Sequence, residues 1–467
     1  MLIALPILIL FPVAIALALM DGRRRPAGVI AIAALAFATA ALGVLMAKVA
    51  IDGPQEVVAG GWSADVGIRL RVDALGAIFA LTTAAVLLAS VAQAVAAGCA
   101  SRTTPTLTVF MALGLTGLFL TGDVFSFYVF FELAMISAYG LTAGEGLAGG
   151  RFRAGFIFAV VNLIGSFLFL IAIGALYRAT GTLEMIEVAR RAAEINPNTA
   201  ILLAVTFFVA FGVKLGLFPF HAWLPSVYLG VQPHIAAMFA GALANIGAYG
   251  LLRFGGVILP RELELGATAI IVLGGVSIVY GAIQAISRRE TREVLAYSAI
   301  GHAGYVLVAL GLGGPVGLTA AVVFSVANAL NKTLLFLTSE LRGRFMATAF
   351  LIGALSVAGV PPSAGFFGKA SLFEAGIDAE SIAALVLLFV GGALTFVYLF
   401  QIYQHDRWRP RAEGEYDRDN LITAGRPAQR TVGVIVALVV LVLGLWPQPL
   451  LAVADQAAAQ IEQEAPR

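Results

Sequence analysis

The sequence predicts an all-α polytopic membrane protein of about 14 transmembrane helices, and three observations predict it. Hydrophobic residues make up 60% of the 467 positions and charged ones only 12%, whereas soluble domains carry roughly 25% charge. Apolar stretches of about 18 residues or more recur along the whole chain, each long enough to cross a hydrocarbon core as a helix. Basic residues between those stretches are alternately abundant and sparse, as they are when successive connections lie on opposite sides of a membrane.

In order, the apolar spans fall at 2–20, 28–50, 73–98, 105–121, 123–143, 155–178, 199–220, 229–254, 266–286, 293–313, 316–338, 345–375, 380–403 and 430–452. The first begins at Leu2 with no basic segment ahead of it and no small-residue cleavage site placed behind it. It therefore reads as a retained span, not a removable signal peptide. Helices 1–3 occupy 1–104, a first repeat of helices 4–8 occupies 105–254, and a second repeat of helices 9–13 occupies 255–403. A cytoplasmic connection, helix 14 and an amphipathic tail fill 404–467. Polar connections at about 51–72, 179–198 and 404–429 hold no separate domain. Residues Gly60 to Arg71 alternate around Gly67 and suit a small hairpin at the membrane edge. Residues 182–194 and the tail from Leu451 suit short amphipathic helices used for packing or subunit contact.

With 14 spans and residue 1 outside, 17 arginines fall on cytoplasmic connections, 9 basic residues fall outside, and three lysines lie within spans. That asymmetry places both termini on the outer side. The single Cys99 excludes an intrachain disulfide and any cysteine-rich metal or iron–sulfur site. No nucleotide loop, zinc spacing or Ser/His/Asp constellation is present, and four histidines are too scattered for haem ligation. No cofactor, no metal and no nucleic-acid partner is expected.

The charges inside the spans are more informative. Glu132 stands near the middle of Phe125 to Tyr139, otherwise an apolar run. A charge at the centre of a membrane helix costs roughly 2.5–3.5 kcal/mol, so it marks an ion or proton route and calls for a partner. Lys214, Lys332 and Lys369, each in its own span, are the candidates. A carboxylate and lysines placed together form a relay, in which charge displacement at one pair moves a proton at the next. A structural ion pair that locks two helices would leave the same text.

Two spans are interrupted by proline. Lys214 precedes Pro219 in Val213-Lys-Leu-Gly-Leu-Phe-Pro-Phe-His-Ala-Trp-Leu-Pro225, and Lys369 follows Pro361 and Pro362 in Gly359-Val-Pro-Pro-Ser-Ala-Gly-Phe-Phe-Gly-Lys369. Proline removes a backbone donor and disfavours helix at the residue before it, so helices 7 and 12 should break near Phe218 and at Pro361–Pro362. Broken membrane helices line hydrated cavities at transporter ion sites, and matching breaks in two halves point to an inverted repeat with the site at its interface. The alternative is kinks made for packing, with lysines that snorkel.

These stretches, together with Gly122-Asp-Val-Phe-Ser-Phe-Tyr-Val-Phe-Phe-Glu132, Arg292-Glu-Val-Leu-Ala-Tyr-Ser-Ala-Ile-Gly-His-Ala-Gly-Tyr305 and Asn328-Ala-Leu-Asn-Lys-Thr-Leu-Leu-Phe336, resemble one family. It is that of the antiporter-like subunits of Mrp-type cation/proton antiporters, respiratory complex I and membrane-bound hydrogenases. The Glu132 run and the ending Gly444-Leu-Trp-Pro-Gln-Pro-Leu450 look most like the D subunit of Mrp-type sodium/proton antiporters. The resemblance implies a transporter subunit without a redox centre of its own, working with other subunits in a bacterial or archaeal cell membrane and moving protons, with Na+ as the exchanged cation. Its alternative is the proton-pumping arm of a complex I-like NADH:quinone oxidoreductase or a membrane-bound hydrogenase. By resemblance, Glu132 and Lys214 match the carboxylate–lysine pair of the proton-transfer half-channel, and Lys332 and Lys369 match the central and distal positions of the hydrophilic axis.

The chain departs from the family pattern at two axis positions. Asn245 stands where relatives commonly have lysine and Asn328 where they have histidine. Neither amide titrates, but either can orient a water within a wire. Glu340 falls where relatives usually have a small residue and reads as a helix-end surface charge, with a substituted acid as the alternative. His302, mid-span, suits proton transfer between the Glu132 half and Lys332 near neutral pH, with a packing histidine as the equal alternative. His221, after the first break, either caps freed carbonyls or sits at a cavity mouth. His234 is not expected to ligate metal.

Overall fold

The computed structural model describes residues 2–58, 69–98, 101–144, 149–408 and 425–466. Cys99 and the expected turn at Gly67 lie outside them. Among the described residues, 11 helices are long and apolar enough to cross a membrane, and three shorter apolar helices complete the expected set of spans. The first half holds α1 (Leu5–Ala18), α2 (Arg25–Asp52), α3 (Ala74–Ala97), α4 (Thr104–Phe119), α5 (Val124–Ala143), α6 (Gly149–Thr180), α7 (Met185–Ala192), α8 (Pro197–Leu215) and α9 (Trp223–Gly230). Next comes α10 (Pro233–Ile258). The second half holds α11 (Pro260–Leu265), α12 (Ala267–Ile286), α13 (Thr291–Leu312), α14 (Gly314–Thr338), α15 (Arg344–Ala358), α16 (Ala364–Asp378) and α17 (Ile382–Tyr403), followed by α18 (Pro427–Leu445) and α19 (Gln448–Glu464).

Both expected breaks are present. Helix α8 stops at Gly216, whose φ of +71° suits only a residue without a Cβ, and α15 stops in the same way at Gly359 with φ +85°. The seventh span does not end at 220, however. It resumes as α9 in a stretch the sequence reading left as a connection. Pro225 lies in the first turn of α9 and Pro233 opens α10, and a first-turn proline gives up a backbone donor that the helix does not use.

Helices α10, α13 and α14 are almost wholly enclosed and form the centre, whereas fewer than half of the residues in the apolar windows of α2, α6, α12, α17 and α18 are buried. Small residues set the closest approaches: a Cβ at Gly281 or Gly304 would strike the backbone of the facing helix, so α12 and α13 pack nearly backbone to backbone. Within α10 the hydrogen bonding widens to the π pattern over Phe239–Leu243 and again over Leu251–Ile258. Such bulges concentrate at functional sites, and the first directly precedes Asn245.

At one end of the bundle, strands β1 (Gln55–Val58) and β2 (Arg69–Val72) pair antiparallel with Gln55 opposite Val72. The hairpin therefore pairs β2 with residues ahead of Gly60, not within Gly60–Arg71 as expected. Facing pair Glu56 and Arg71 (3.5 Å) and the Arg69–Glu56 bridge (3.0 Å) hold that register. Beside it, buried Arg253 bonds Asp73 at 2.6 Å and Glu464 at 3.4 Å, and Arg71 reaches Glu464 at 2.5 Å. The tail helix α19 is thus clamped onto the hairpin, α3 and α10. Burial alone would raise the Asp73 carboxyl, but Arg253 and the Gly76 N–H outweigh it and hold Asp73 below the usual carboxylate range.

At the opposite end, the Arg292 guanidinium donates to the carbonyls of Tyr228 (2.8 Å), Leu229 (3.0 Å) and Val231, closing the C-terminus of α9. Arg407 does the same for Thr338 (2.7 Å) and Ser339 (2.9 Å) at the end of α14. Glu340 is more than half exposed and pairs with Arg292 at 3.2 Å, a surface ion pair as the sequence suggests.

Candidate functional site

Polar groups run through the middle of the bundle in a line from α5 to α16. Glu132 lies on α5 between the exposed face of Phe125, Val129 and Ile136 and the packed interior. Its Oε1 is enclosed without a hydrogen-bond partner. Lys214, in the last turn of α8, is buried and donates to the Asn162 carbonyl at 2.8 Å and the Ser166 hydroxyl at 3.1 Å, with its ammonium 4.5 Å from the Phe131 ring centre. Glu132 acts on Lys214 through its field, but among the described residues no ion pair joins them.

The first break leaves backbone groups to satisfy. Trp223 Nε1 takes the Val213 carbonyl at 3.0 Å, and the Phe218 N–H finds Ser277 Oγ at 3.2 Å. His221 instead stacks on Phe218, with ring centres 5.4 Å apart, and lies tilted against Tyr280 at 4.5 Å. Its Nδ1 makes no hydrogen bond. In the second break, Lys369 reaches back to the Ala358 carbonyl at 3.0 Å, and Gly365 N–H bonds Ser356 Oγ at 3.0 Å.

Lys332 is fully enclosed on α14. It donates to the Leu295 carbonyl at 3.2 Å and to Ser298 Oγ at 2.7 Å, and Tyr398 from α17 bonds that same hydroxyl at 2.9 Å. His302 is buried one turn beyond Ser298. It feels both Lys332 and Lys369 electrostatically and faces Asn328, and neither ring nitrogen nor Asn328 Oδ1 reaches hydrogen-bond geometry. Asn245 Nδ2 donates to the Gly241 carbonyl at 3.1 Å and to Thr83 Oγ1 at 3.5 Å.

Three cavities punctuate this line. One of about 10 Å³ lies between Lys214, Asn162 and Tyr228. A second, of about 20 Å³, is bounded by Tyr228, Asn245, His302, Ser325 and Asn328. A water needs roughly 10–15 Å³ and two to four polar neighbours, so the second has room for one and the first sits at the lower limit. The third, of about 260 Å³, opens beside Lys369 and Gly359. A larger cavity, about 370 Å³, is apolar, is lined in part by Pro219 and Phe220, and is not part of the line.

The structure thus aligns Lys214, Asn245, His302, Asn328, Lys332 and Lys369, with Glu132 at one end and the proline breaks beside the two outer lysines; His221 stands apart. Sequence reasoning missed Asn162, Ser166, Tyr228 and Tyr398. Only the four-residue spacing of Asn162 and Ser166 hinted that one face of α6 is polar.

Residues 121–345 and 339–395 match the family model described as NADH:quinone oxidoreductase/Mrp antiporter, TM. The chain belongs to that family. The putative antiporter subunit mnhD2 of Staphylococcus saprophyticus is 28% identical over 98% of this chain and 94% of its own length. A chain in the structure of the Mrp complex from Dietzia sp. DQ12-45-1b superposes with a TM-score of 0.88 at 26% identity, covering 99% of this chain and 97% of that one. A chain of the membrane-bound sulfane sulfur reductase, an archaeal respiratory membrane complex, superposes at 0.84 with 25% identity over 99% and 97%. As a member of the NADH:quinone oxidoreductase/Mrp antiporter family, the chain is a multi-pass membrane protein with the family's fold.

Proposed function

We propose that this chain is the proton-translocating membrane subunit of a multisubunit Na+/proton antiporter of the Mrp type, and that its other subunits supply cation passage. The observation that carries the mechanism is the line of three buried lysines, each held by neutral acceptors, with two small cavities between Lys214 and His302 and an open one beside Lys369. Protons enter beside Glu132 and Lys214, cross the centre by way of water held at Asn245, His302 and Asn328, and continue through Lys332 to Lys369 and the open cavity beside it. The repeats 105–254 and 255–403 carry one half-channel each. The complex sits in a bacterial or archaeal cell membrane with both termini of this chain outside.

Full-length similarity to an antiporter D subunit favours exchange over a redox-driven pump, the reading that the sulfane sulfur reductase chain keeps open. Glu132→Gln tests the mechanism in membrane vesicles that carry the whole complex. Proton-coupled transport should be lost at normal assembly, and full activity in that variant would remove Glu132 from the route.

A further inference from the structure

The two small cavities between Lys214 and His302 share two lining residues, Tyr228 and Ala244. An alanine methyl neither donates nor accepts a hydrogen bond, so Tyr228 is the polar side chain at the junction. Leu215 and Leu224 line the second cavity only and Leu243 the first only.

Tyr228 is also firmly placed. Its backbone carbonyl accepts from Arg292 at 2.8 Å, and its ring lies edge-on to Trp223 and Phe336 with centres 6.4 and 5.5 Å away. It stands at the end of α9, the half-helix that follows the first proline break, and is 1% exposed.

We propose that the Tyr228 hydroxyl carries protons between the two halves of this chain, from the water site beside Lys214 to the one beside Asn245, His302 and Asn328. This rests on the reading of the line as a proton route. A phenol donates one hydrogen bond and accepts others. A protonated water on the Lys214 side gives its proton to the phenolic oxygen while the phenol's own proton passes to a water on the far side. One O–H bond forms as another breaks, one positive charge crosses, and rotation of the hydroxyl resets the bridge. The asparagines make the step necessary, because amides at positions 245 and 328 orient water without themselves taking up a proton.

The test compares Tyr228→Phe, Tyr228→Ser and Glu132→Gln by proton uptake in vesicles containing the whole complex at matched abundance. Removing a positioned proton donor costs on the order of a hundredfold in rate, and Tyr228→Phe should fall by that much. Tyr228→Ser should transport faster than Tyr228→Phe, because the space left by the ring admits water that joins the two sites. A packing role gives the reverse order, since phenylalanine keeps the contacts to Trp223 and Phe336 and serine loses them. Wild-type transport in Tyr228→Phe, or equal loss in both Tyr228 variants, overturns the proposal when Glu132→Gln is inactive. If Glu132→Gln is active as well, the proton-route reading itself fails.

Discussion

Replacing Asp73 should destabilise the end of the bundle that carries α19, and the structure separates two contributions. The Asp73 Oδ1 caps α3 by accepting from Gly76 N–H at 2.8 Å, while Oδ2 meets the buried Arg253 at 2.6 Å. Loss of a helix cap costs about 0.5–2 kcal/mol. Breaking a buried ion pair and stranding one charge costs about 3–5 kcal/mol. Glu464, 3.4 Å from Arg253, remains as a second partner and keeps the second figure near its lower bound. Asp73→Ala should therefore cost about 3.5–5 kcal/mol in all. Asp73→Asn keeps an oxygen for Gly76 and loses the charge, so it should retain the cap and forfeit most of the rest.

Equilibrium unfolding in mixed micelles gives these differences, and a double-mutant cycle with Arg253→Met isolates the pair. The sign of the pH dependence follows from the depressed Asp73 pKa. Its contribution is fully present above the unfolded carboxylate value, about 3.9, and is lost as pH falls through the lower folded value. Wild-type stability attributable to this group should be flat from neutrality to pH ~5 and decline only at stronger acidity, and Asp73→Asn should abolish that part of the decline. A cost below about 1 kcal/mol for Asp73→Ala, the worth of an exposed pair, would refute the buried-pair reasoning.

Other consequences concern transport. Exchanging the charges, Glu132→Lys with Lys214→Glu, should not restore proton uptake, because the two sites have different surroundings and are not in ion-pair contact; full rescue would instead reveal a structural salt bridge. The chain reconstituted alone should exchange no sodium, since a lone carboxylate on a line of lysines is a poor cation site, and sodium/proton exchange by the isolated polypeptide would overturn the assignment of cation passage to partner subunits. Asn328→Leu should dry the central cavity and block uptake, whereas Asn328→His should preserve or raise it. Equal rates for wild type and both variants would take the second half off the proton route.

Much of this arrangement was legible in the sequence for a simple reason. A single charge in an apolar span is conspicuous, as Glu132, Lys214, Lys332 and Lys369 are, and proline punctuation located both breaks. The eight residues of α9, which include Pro225, were too short to announce a helix. The Asp73–Arg253 pair, 180 residues apart in the chain, left no local trace. Small polar residues are silent for another reason: Ser166 and Ser325 bond carbonyls one turn back, as serine can in any membrane helix, so their text looks the same whether or not they serve a site.

That silence hid the chemistry that distinguishes the site from a salt bridge. The sequence places opposite charges, Glu132 and Lys214, in the fifth and seventh spans and suggests direct pairing. In the structure, Lys214 and Lys332 are instead held by a backbone carbonyl and a serine hydroxyl each. A carboxylate partner would favour the ammonium and oppose proton release, whereas a hydroxyl can accept from an ammonium or donate to a neutral amine. Ser298 can therefore satisfy Lys332 in either protonation state, whereas the Ser166 hydroxyl donates to the Asn162 carbonyl at 3.0 Å and must release that bond before it can donate to a neutral Lys214. A lysine that remains hydrogen-bonded after giving up its proton can pass that proton on without first dismantling its site, which a relay requires and a helix-locking ion pair does not provide.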